Sequence, residues 1–242
     1  MPYELYYWPT IQGRGEFVRL ALEAAGAPYA EVARGDGPKG RGMDRMMALL
    51  GDEGAVRPPF APPILKDGRR VIAQTAAILL YLGDRHGLAP KAETDRLWTH
   101  QLQLTIADLV TEAHDTHHPV GIGLYYEDQK DAAARRAREF RRERMPKFLG
   151  WFERVLAANP KGPAHLVGGR LTYADLSLFQ VVAGLRYAFP RASRRVLAKC
   201  PHVAALHDAV AERPNVAAYL ASDRRIPFNE EGIFRRYREL DG

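Results

Sequence analysis

The stretch Phe60 to Tyr81, FAPPILKDGRRVIAQTAAILLY, holds the turn and the helix start around which the rest of the chain is organised. A double proline leads into the apolar pair at 64–65, and the letters KDGR supply turn residues before a second apolar pair at 71–72. This pattern predicts a β-hairpin. Apolar residues then recur at helical spacing, which predicts a helix that opens at Gln74-Thr75.

Two binding features are predicted within this one stretch. The first N–H groups of a helix have no acceptor inside the helix, so the helix start can bind an anion. The backbone next to the prolines forms an exposed strand edge that can pair with another extended chain. The stretch therefore predicts an anion site beside an open strand edge.

Composition is that of an ordinary globular protein, with 46% hydrophobic and 26% charged residues over 242 positions, enough for one large domain or two small ones. The first residues lack the pattern of a signal peptide and there is no run of about 18 apolar residues, so the cytoplasm is the expected location. The single cysteine, Cys200, argues against an internal disulfide framework and against a zinc site made of four cysteines.

The formal charge of +6 favours anionic ligands in general. The densest basic run, Arg135 to Lys147, includes Glu139 and Glu143 and follows a helical pattern, which is typical of a solvated helix face. It is accompanied by no nucleic-acid recognition motif. We therefore expect neither a nucleic acid nor a membrane as a partner.

Strands and helices alternate in residues 1–83. A β-prone run at Tyr3–Trp8 predicts the first strand, and the apolar spacing of Gly15–Ala25 predicts a helix. Pro28–Ala33 offers a second strand parallel to the first, and Met43–Leu50 a short helix. With the hairpin and its helix, the order becomes β-α-β-α-β-β-α, which is the thioredoxin-like arrangement.

Residues 84–92 are rich in turn formers and predict a linker, beyond which the chain looks helical. Thr94–His118 and Asp128–Ala158 are long amphipathic patterns suited to an antiparallel pair in a bundle, and the second could kink at Pro146. Shorter helices are expected near 202–212 and 216–221.

The clearest local signal in this half is HLVGGRLTYADLSLF, residues 165–179. Thr172 and Asp175 form a near capping box, and Leu171 with Leu176 can form a hydrophobic staple around it. A buried helix should begin here and end near Pro190.

Together these features resemble the cytosolic glutathione S-transferase family in its tyrosine-type (sigma-, mu- or pi-like) classes. YYWPTIQGRGEFVR is similar to the family's first strand and helix start, PPILKDG with QTAAILLYLG to its cis-proline hairpin and γ-glutamyl motif, and LVGGRLTYADLSLF to its helical-domain capping box. The resemblance implies an α/β N-terminal thioredoxin-like domain at 1–83 plus an all-α C-terminal helical-bundle domain at 93–242. It also implies a homodimer that uses glutathione as cosubstrate.

Tyr7 matches the family's catalytic tyrosine, followed by an aromatic residue and a proline. Its neighbour Tyr6 is the competing candidate, and only one of the two can reach the pocket because adjacent strand residues face opposite ways. The Trp8-Pro9 context favours Tyr7. Arg14, near the start of the first helix, could add a positive field or could be a surface arginine.

The resemblance also implies the residues that bind glutathione. Pro63 is expected to be cis, and Pro62 lies where the family pairs with the cysteinyl backbone, although a proline can accept but not donate. Gln74 and Thr75 match the γ-glutamyl carboxylate site, or they merely cap the helix. Asp108 of the partner subunit is the candidate for the ligand's ammonium group, with a solvated aspartate as the alternative.

The resembled family binds the glycine carboxylate in some classes with a tryptophan and a lysine, which have no match between Gly35 and Pro59. Four residues of this loop could take their place, and the sequence does not choose among them: Lys39, Arg41, Arg45 and Arg57.

A histidine cluster, HDTHH at residues 114–118, allows three interpretations. His114 and His118 at i, i+4 could bind a metal from one helix face, but no third-ligand pattern accompanies them, so we expect no metal site. The cluster could instead line the pocket for the electrophile, with Tyr125 and Tyr126 nearby. The third interpretation is ordinary histidines at a helix end.

The sequence as a whole is thus expected to encode a detoxifying glutathione transferase that adds the glutathione thiolate to a small hydrophobic electrophile. Two alternatives stay open. One is a transferase-like protein that binds glutathione or apolar ligands without turnover, and the other is a glutathione-dependent disulfide or peroxide reductase.

Overall fold

A four-stranded sheet occupies the first third of the chain, in a computed structural model that describes residues 2–35 and 42–242. The strand order is β2-β1-β3-β4, with β1 and β2 parallel and the other pairs antiparallel. The strand bounds are β1 Tyr3–Tyr6, β2 Tyr29–Glu31, β3 Ile64–Asp67 and β4 Arg70–Ala73. The predicted hairpin and the predicted parallel pair are both confirmed.

Helices α1 (Gly15–Ala24), α2 (Met43–Leu50) and α3 (Thr75–His86) pack on this sheet. Because side chains alternate along a strand, Leu5 and Tyr6 of β1 enter different cores. Leu5 joins the main core with α1 and α3, whereas Tyr6 joins a smaller core that includes residues of α2. Helices therefore cover both faces, as the thioredoxin-like arrangement requires.

The rest of the chain is helical, and a π-helical segment at 140–144 joins two of its helices. The bounds are α4 Glu93–His114, α5 Lys130–Glu139, α6 Met145–Ala157, α7 Tyr173–Ala188, α8 Pro190–Leu197, α9 Pro201–Ala211, α10 Pro214–Leu220 and α11 Arg238–Asp241. In the described part of the chain, no helix is long and apolar enough to cross a bilayer.

Several helix bounds differ from the prediction. Helix α3 continues to His86, past the start of the predicted linker, while the division into domains at 1–83 and 93–242 with a linker at 84–92 stays a proposal. Helix α4 ends at His114 rather than at 118, because a turn follows it before Pro119. The irregularity expected at Pro146 is the π-helical segment just before it, since a proline cannot donate to the preceding turn.

Helix α7 is the buried centre of the helical half, and its start is held by the predicted capping box. The Thr172 hydroxyl accepts from the Asp175 backbone N–H at 3.4 Å, and the Asp175 carboxylate accepts from the Thr172 N–H at 2.7 Å. The same carboxylate accepts from the Leu166 N–H at 2.7 Å, which ties the preceding loop to the helix. One buried acid therefore satisfies two buried backbone donors.

We predict that Asp175→Ala lowers the free energy of unfolding by about 3 kcal/mol, because it leaves two buried N–H groups without acceptors. Thr172→Ala should cost about 1 kcal/mol, as for the loss of a helix N-cap. Denaturant unfolding followed by circular dichroism measures both values. Thr172→Ser is the control, since it keeps the hydroxyl, and an Asp175→Ala protein as stable as the parent would contradict this role for the carboxylate.

Candidate active site

Tyr7 follows β1 directly and is buried, with 6% of its surface exposed. Its hydroxyl oxygen accepts a hydrogen bond from the backbone N–H of Arg14 at 2.7 Å. Among the described residues no acceptor lies within hydrogen-bond range of the hydroxyl proton. The phenol is therefore held by its oxygen and keeps a proton that it can donate.

Two glycines make room for this tyrosine. A Cβ at Gly13 would overlap the Tyr7 hydroxyl, and a Cβ at Gly15 would come within 2.5 Å of the Tyr7 ring. Gly13 also adopts a positive φ of 48°, which a residue with a side chain rarely tolerates. The loop between β1 and α1 thus encloses Tyr7 only because these positions lack side chains.

Burial raises the pKa of Tyr7 above its ordinary value, while the hydrogen bond from Arg14 and the charges of Arg14 and Arg19 act in the opposite direction. The phenol therefore stays protonated through the neutral pH range. A protonated phenol can donate to an anion, and the nearby cations favour that anion.

Tyr6 lies on the opposite side of the strand, as the alternation predicts. Its hydroxyl donates to the Glu4 carboxylate at 2.9 Å, and its ring packs in the smaller core with Val32 and Met46. Burial, and then the hydrogen bond to Glu4, raises the pKa of Tyr6 to about 12. Tyr6 and Tyr7 therefore have separate surroundings.

The start of α3 has the features of an anion site. No acceptor within the described residues pairs with the first three N–H groups of the helix; the first regular bond runs from Ile78 N–H to Gln74 O at 2.9 Å. Gln74 has a φ of 69°, the one positive φ among the described non-glycine residues. Such strained backbone is common at ligand sites and costs about 1–3 kcal/mol. Thr75 follows it, and its hydroxyl donates to Arg14 O at 3.5 Å.

Arg14 connects the parts of the candidate site. Its backbone contacts Tyr7 on one side and Thr75 on the other, and its guanidinium donates to the Thr111 hydroxyl of α4 at 3.5 Å. The predicted residues Tyr7, Arg14 and Thr75 are therefore brought together. The Pro62-Pro63 bond is cis, as predicted, and leads into β3, whose first residue pairs with Tyr6.

Asp108 is not joined to this group by any contact among the described residues. It is exposed on α4, one turn before Thr111. Of the four basic candidates between Gly35 and Pro59, Lys39 and Arg41 lie outside the described residues. Arg45 lies close to the Tyr6 hydroxyl, and Arg57 is exposed.

A buried polar network behind Tyr7 has no counterpart among the predictions. The Arg19 guanidinium is fully buried, lies 5.7 Å from the Tyr7 ring centroid and forms ion pairs with Glu16 and Glu31. Glu16 also accepts from the Tyr219 hydroxyl at 3.0 Å and from Arg225 at 2.8 Å. Opposite charges at i, i+3 are ordinary on solvated helices, so the sequence does not signal their burial.

The same network fixes the loop that carries Arg14. The Gln12 side chain donates to Ile226 O at 2.5 Å and accepts from Gln180 of α7 at 2.7 Å. Gln180 in turn accepts from Arg225 at 3.2 Å. The C-terminal tail and α7 therefore hold the β1–α1 loop in place, a long-range relation that local sequence patterns do not reveal.

The histidine cluster borders this site. His114 ends α4 one turn after Thr111, and His117 and His118 follow in the turn. Tyr126 does not open onto a pocket, because its ring stacks on Tyr237 at 3.8 Å. Exposed apolar side chains instead come from the following loop: Val120, Ile122, Leu124 and Tyr125.

Comparisons with known proteins agree with this geometry. The family model described as "Glutathione S-transferase, C-terminal domain" matches residues 114–223. The chain is 30% identical over 185 residues to Glutathione S-transferase Mu 6 of Mus musculus, which covers 75% of each chain. It is 28% identical over 225 residues to Glutathione S-transferase P 1 of Xenopus laevis, covering 92% of this chain and 93% of the relative.

A solved structure of the Pi-class glutathione S-transferase of Onchocerca volvulus has the same fold. Its TM-score to this chain is 0.71 at 23% identity, and the match covers 96% of this chain and 99% of that one. The fold class expected from the sequence is therefore confirmed over nearly the whole length.

We predict that Gly15→Ala destabilises the protein by about 1–3 kcal/mol, because the new methyl group must displace the packed Tyr7 ring. Gly150→Ala is the matched control, since Gly150 lies inside α6 and a Cβ there meets no neighbour within 4 Å. That change should be neutral or stabilising by up to about 1 kcal/mol. The measurement is the free energy of unfolding by denaturant for the parent, Gly15→Ala and Gly150→Ala. Equal stability of Gly15→Ala and the parent would rule out close packing of Gly15 on the Tyr7 ring.

Proposed function

The chain belongs to the glutathione S-transferase family, and on that basis we propose that Tyr7 activates the glutathione thiol for conjugation to hydrophobic electrophiles. The observation that carries the proposal is the Tyr7 hydroxyl, held by the Arg14 N–H at 2.7 Å with its own proton free. Glutathione is the cosubstrate. The class of the enzyme is proposed to be tyrosine-type.

The chemistry requires a thiolate. A free thiol has a pKa of about 8.5, so at neutral pH it is mostly protonated, whereas the anion is the nucleophile. The Tyr7 phenol donates a stronger hydrogen bond to the sulfur anion than to the neutral thiol. This preference lowers the pKa of the thiol. Each unit by which the thiol pKa falls corresponds to about 1.4 kcal/mol of preference for the anion.

Two arginines support this role by their position. Arg14 lies beside the Tyr7 hydroxyl, and Arg19 lies 5.7 Å from the Tyr7 ring behind it. A positive charge near the sulfur favours its anion. Of the two, Arg14 is the one that borders the proposed glutathione site, since the Arg19 guanidinium is enclosed by its acidic partners.

Glutathione would lie along the hairpin edge and the start of α3. The unpaired N–H groups at Thr75, with the strained Gln74 before them, suit the γ-glutamyl carboxylate. The carbonyl of Pro62, before the cis bond, suits the cysteinyl N–H. Because Pro62 has no N–H, one hydrogen bond is missing, at a cost of about 0.5–1.5 kcal/mol, which lowers the affinity by roughly tenfold at most.

The electrophile would bind on the α4 side of Tyr7. The loop after the histidine cluster at the end of α4 carries exposed apolar residues, including Ile122 at 83% exposure. Apolar surface at the mouth of a site favours apolar ligands. The alternatives, binding without turnover and disulfide or peroxide reduction, use the same glutathione site, but the relatives named above are transferases by name.

A homodimer is the proposed assembly, with the exposed face of α4 as its interface. Leu97 and Leu104 lie seven residues apart on this face, at 59% and 48% exposure, and Leu80 of α3, a helix in contact with α4, is exposed as well. Exposed apolar residues grouped in this way favour burial against a partner. Asp108 follows on the same face, so Asp108 of the partner subunit could reach the ammonium group of glutathione. Resemblance to the cytosolic classes supports a cytoplasmic location.

We predict that Tyr7→Phe lowers kcat/KM for glutathione conjugation at neutral pH by about 10- to 100-fold, the value of one hydrogen bond to a charged group. Loss of the donor raises the pKa of the bound thiol, so the rate should recover as the pH rises. The measurement is turnover of glutathione with a chloronitroarene as a function of pH.

The matched control is Tyr6→Phe, which removes a hydroxyl bound to Glu4 on the other side of the strand and should leave kcat/KM unchanged. An equal loss in both variants, or full activity of Tyr7→Phe, would show that Tyr7 is not the activating residue. Saturable glutathione binding without turnover in the parent would favour the non-catalytic alternative.

We also predict that Leu104→Arg converts the dimer into a monomer of about half the mass, because it places a charge in the proposed apolar interface. Ile122→Arg is the control, since it adds the same charge to an exposed residue outside this face. Sedimentation velocity reports the mass directly. A parent that is monomeric at micromolar concentration, or a Leu104→Arg protein that stays dimeric, would overturn this interface.

A further inference from the structure

Three imidazoles converge at the end of α4. His114 is the last residue of the helix, and the turn that follows brings His117 and His118 back against it. Each of the three residues offers one ring nitrogen as a ligand atom, and these three nitrogens all lie within 4.8 Å of one another. A helix continuing to residue 118 would align only His114 and His118 on one face. Because α4 ends at His114, the turn that follows brings His117 to the same place as a third histidine.

The ring of His117 is oriented by the backbone. His117 is buried, and its Nε2 lies 2.8 Å from the carbonyl oxygen of Ile233, an atom that can only accept. Nε2 therefore carries the proton, and Nδ1 of the neutral ring presents a lone pair. His118 Nδ1 lies 2.5 Å from His117 Nδ1.

His114 is oriented by a carboxylate. Its Nδ1 lies 3.4 Å from an Asp115 carboxylate oxygen, which leaves Nε2 as the free nitrogen of the neutral ring. Histidines that bind metals commonly donate the other ring N–H to a backbone carbonyl or to a carboxylate, which fixes the tautomer and the ring direction. Both kinds of partner occur in this cluster, one at His117 and one at His114.

We propose that His114, His117 and His118 bind one divalent transition-metal cation of the Zn²⁺ class through three imidazole nitrogens. Imidazole is a ligand that suits zinc, copper and nickel, and three histidines are a known zinc donor set with further positions open. With Zn–N bonds of about 2.0–2.1 Å in tetrahedral geometry, the ligand nitrogens stand about 3.3 Å apart. The separations in the cluster, 2.5 Å for one pair and up to 4.8 Å for the others, lie on either side of this value.

Binding requires one change of tautomer. The short distance between His117 Nδ1 and His118 Nδ1 is explained if the His118 Nδ1–H donates a hydrogen bond to His117 Nδ1. A metal bound between the two residues would accept the Nδ1 lone pairs of both His117 and His118. The proton of His118 would then reside on Nε2, so the His118 ring would stay neutral. His118 is only partly buried, which allows Nε2–H to meet water.

The charges around the cluster are mixed. Arg14 and Arg235 bring positive charge, and Asp115 brings negative charge. Affinity must therefore come from the nitrogen donors and not from an attractive field.

The test is a titration of the full-length, untagged chain with Co²⁺ and then Zn²⁺, after removal of metals with a chelator and without glutathione. We expect one saturable equivalent per chain, with visible Co²⁺ absorption typical of low coordination number, displaced by Zn²⁺. His114→Ala and His118→Ala should each weaken binding by more than about 100-fold, since even outer-shell losses cost 10- to 100-fold. These two residues are chosen because buried His117 also supports the fold.

His202→Ala is the matched control, because it removes a histidine outside the cluster and should leave the affinity unchanged. Tyr7→Phe should also bind metal as the parent does, which separates this site from the proposed catalytic function. The proposal would be overturned by the lack of a saturable Co²⁺ spectrum, or by equal affinities of the parent, His114→Ala and His118→Ala.

Discussion

The hydrogen bond from the Arg14 N–H to the Tyr7 hydroxyl is the interaction on which the candidate site depends. It joins the end of β1 to the start of α1, and within the described residues the phenol proton has no acceptor. It can form only because Gly13 and Gly15 make room for the ring. Behind it, the buried Arg19 network and the Gln12 contacts with α7 and the tail hold the loop in position. Both halves of the chain therefore contribute to the position of one hydroxyl group.

The site combines fixed and open elements. The proposed anion site is formed by Gln74, with its positive φ, and by the first N–H groups of α3, which have no acceptor among the described residues. The proposed electrophile side is instead an exposed apolar loop, and an open apolar surface suits substrates whose shapes vary. The histidine cluster lies at the end of α4, one turn after the Thr111 that contacts Arg14.

The elements that rest on local patterns were predictable from the sequence. The proline pair, the KDGR turn and the helix start gave the hairpin and α3, and Thr172 with Asp175 gave the start of α7. Strand alternation predicted that Tyr6 and Tyr7 face opposite sides of β1, and the Trp8-Pro9 context, through the family resemblance, favoured Tyr7. What escaped prediction depends on distant contacts: the burial of Arg19 and Glu16, the tail that binds Gln12, and the turn that ends α4 before His117. Helical spacing alone could not show that three histidines meet.

The central claim is that the Tyr7 hydroxyl stabilises the glutathione thiolate in the bound state. Its most direct test is a titration of the thiol in the enzyme–glutathione complex, followed by the ultraviolet absorbance of the thiolate, for the parent and for Tyr7→Phe. The bound thiol of the parent should titrate at least about one unit below free glutathione, and that of Tyr7→Phe close to free glutathione. A parent complex in which the thiol titrates as it does in free glutathione would contradict the claim.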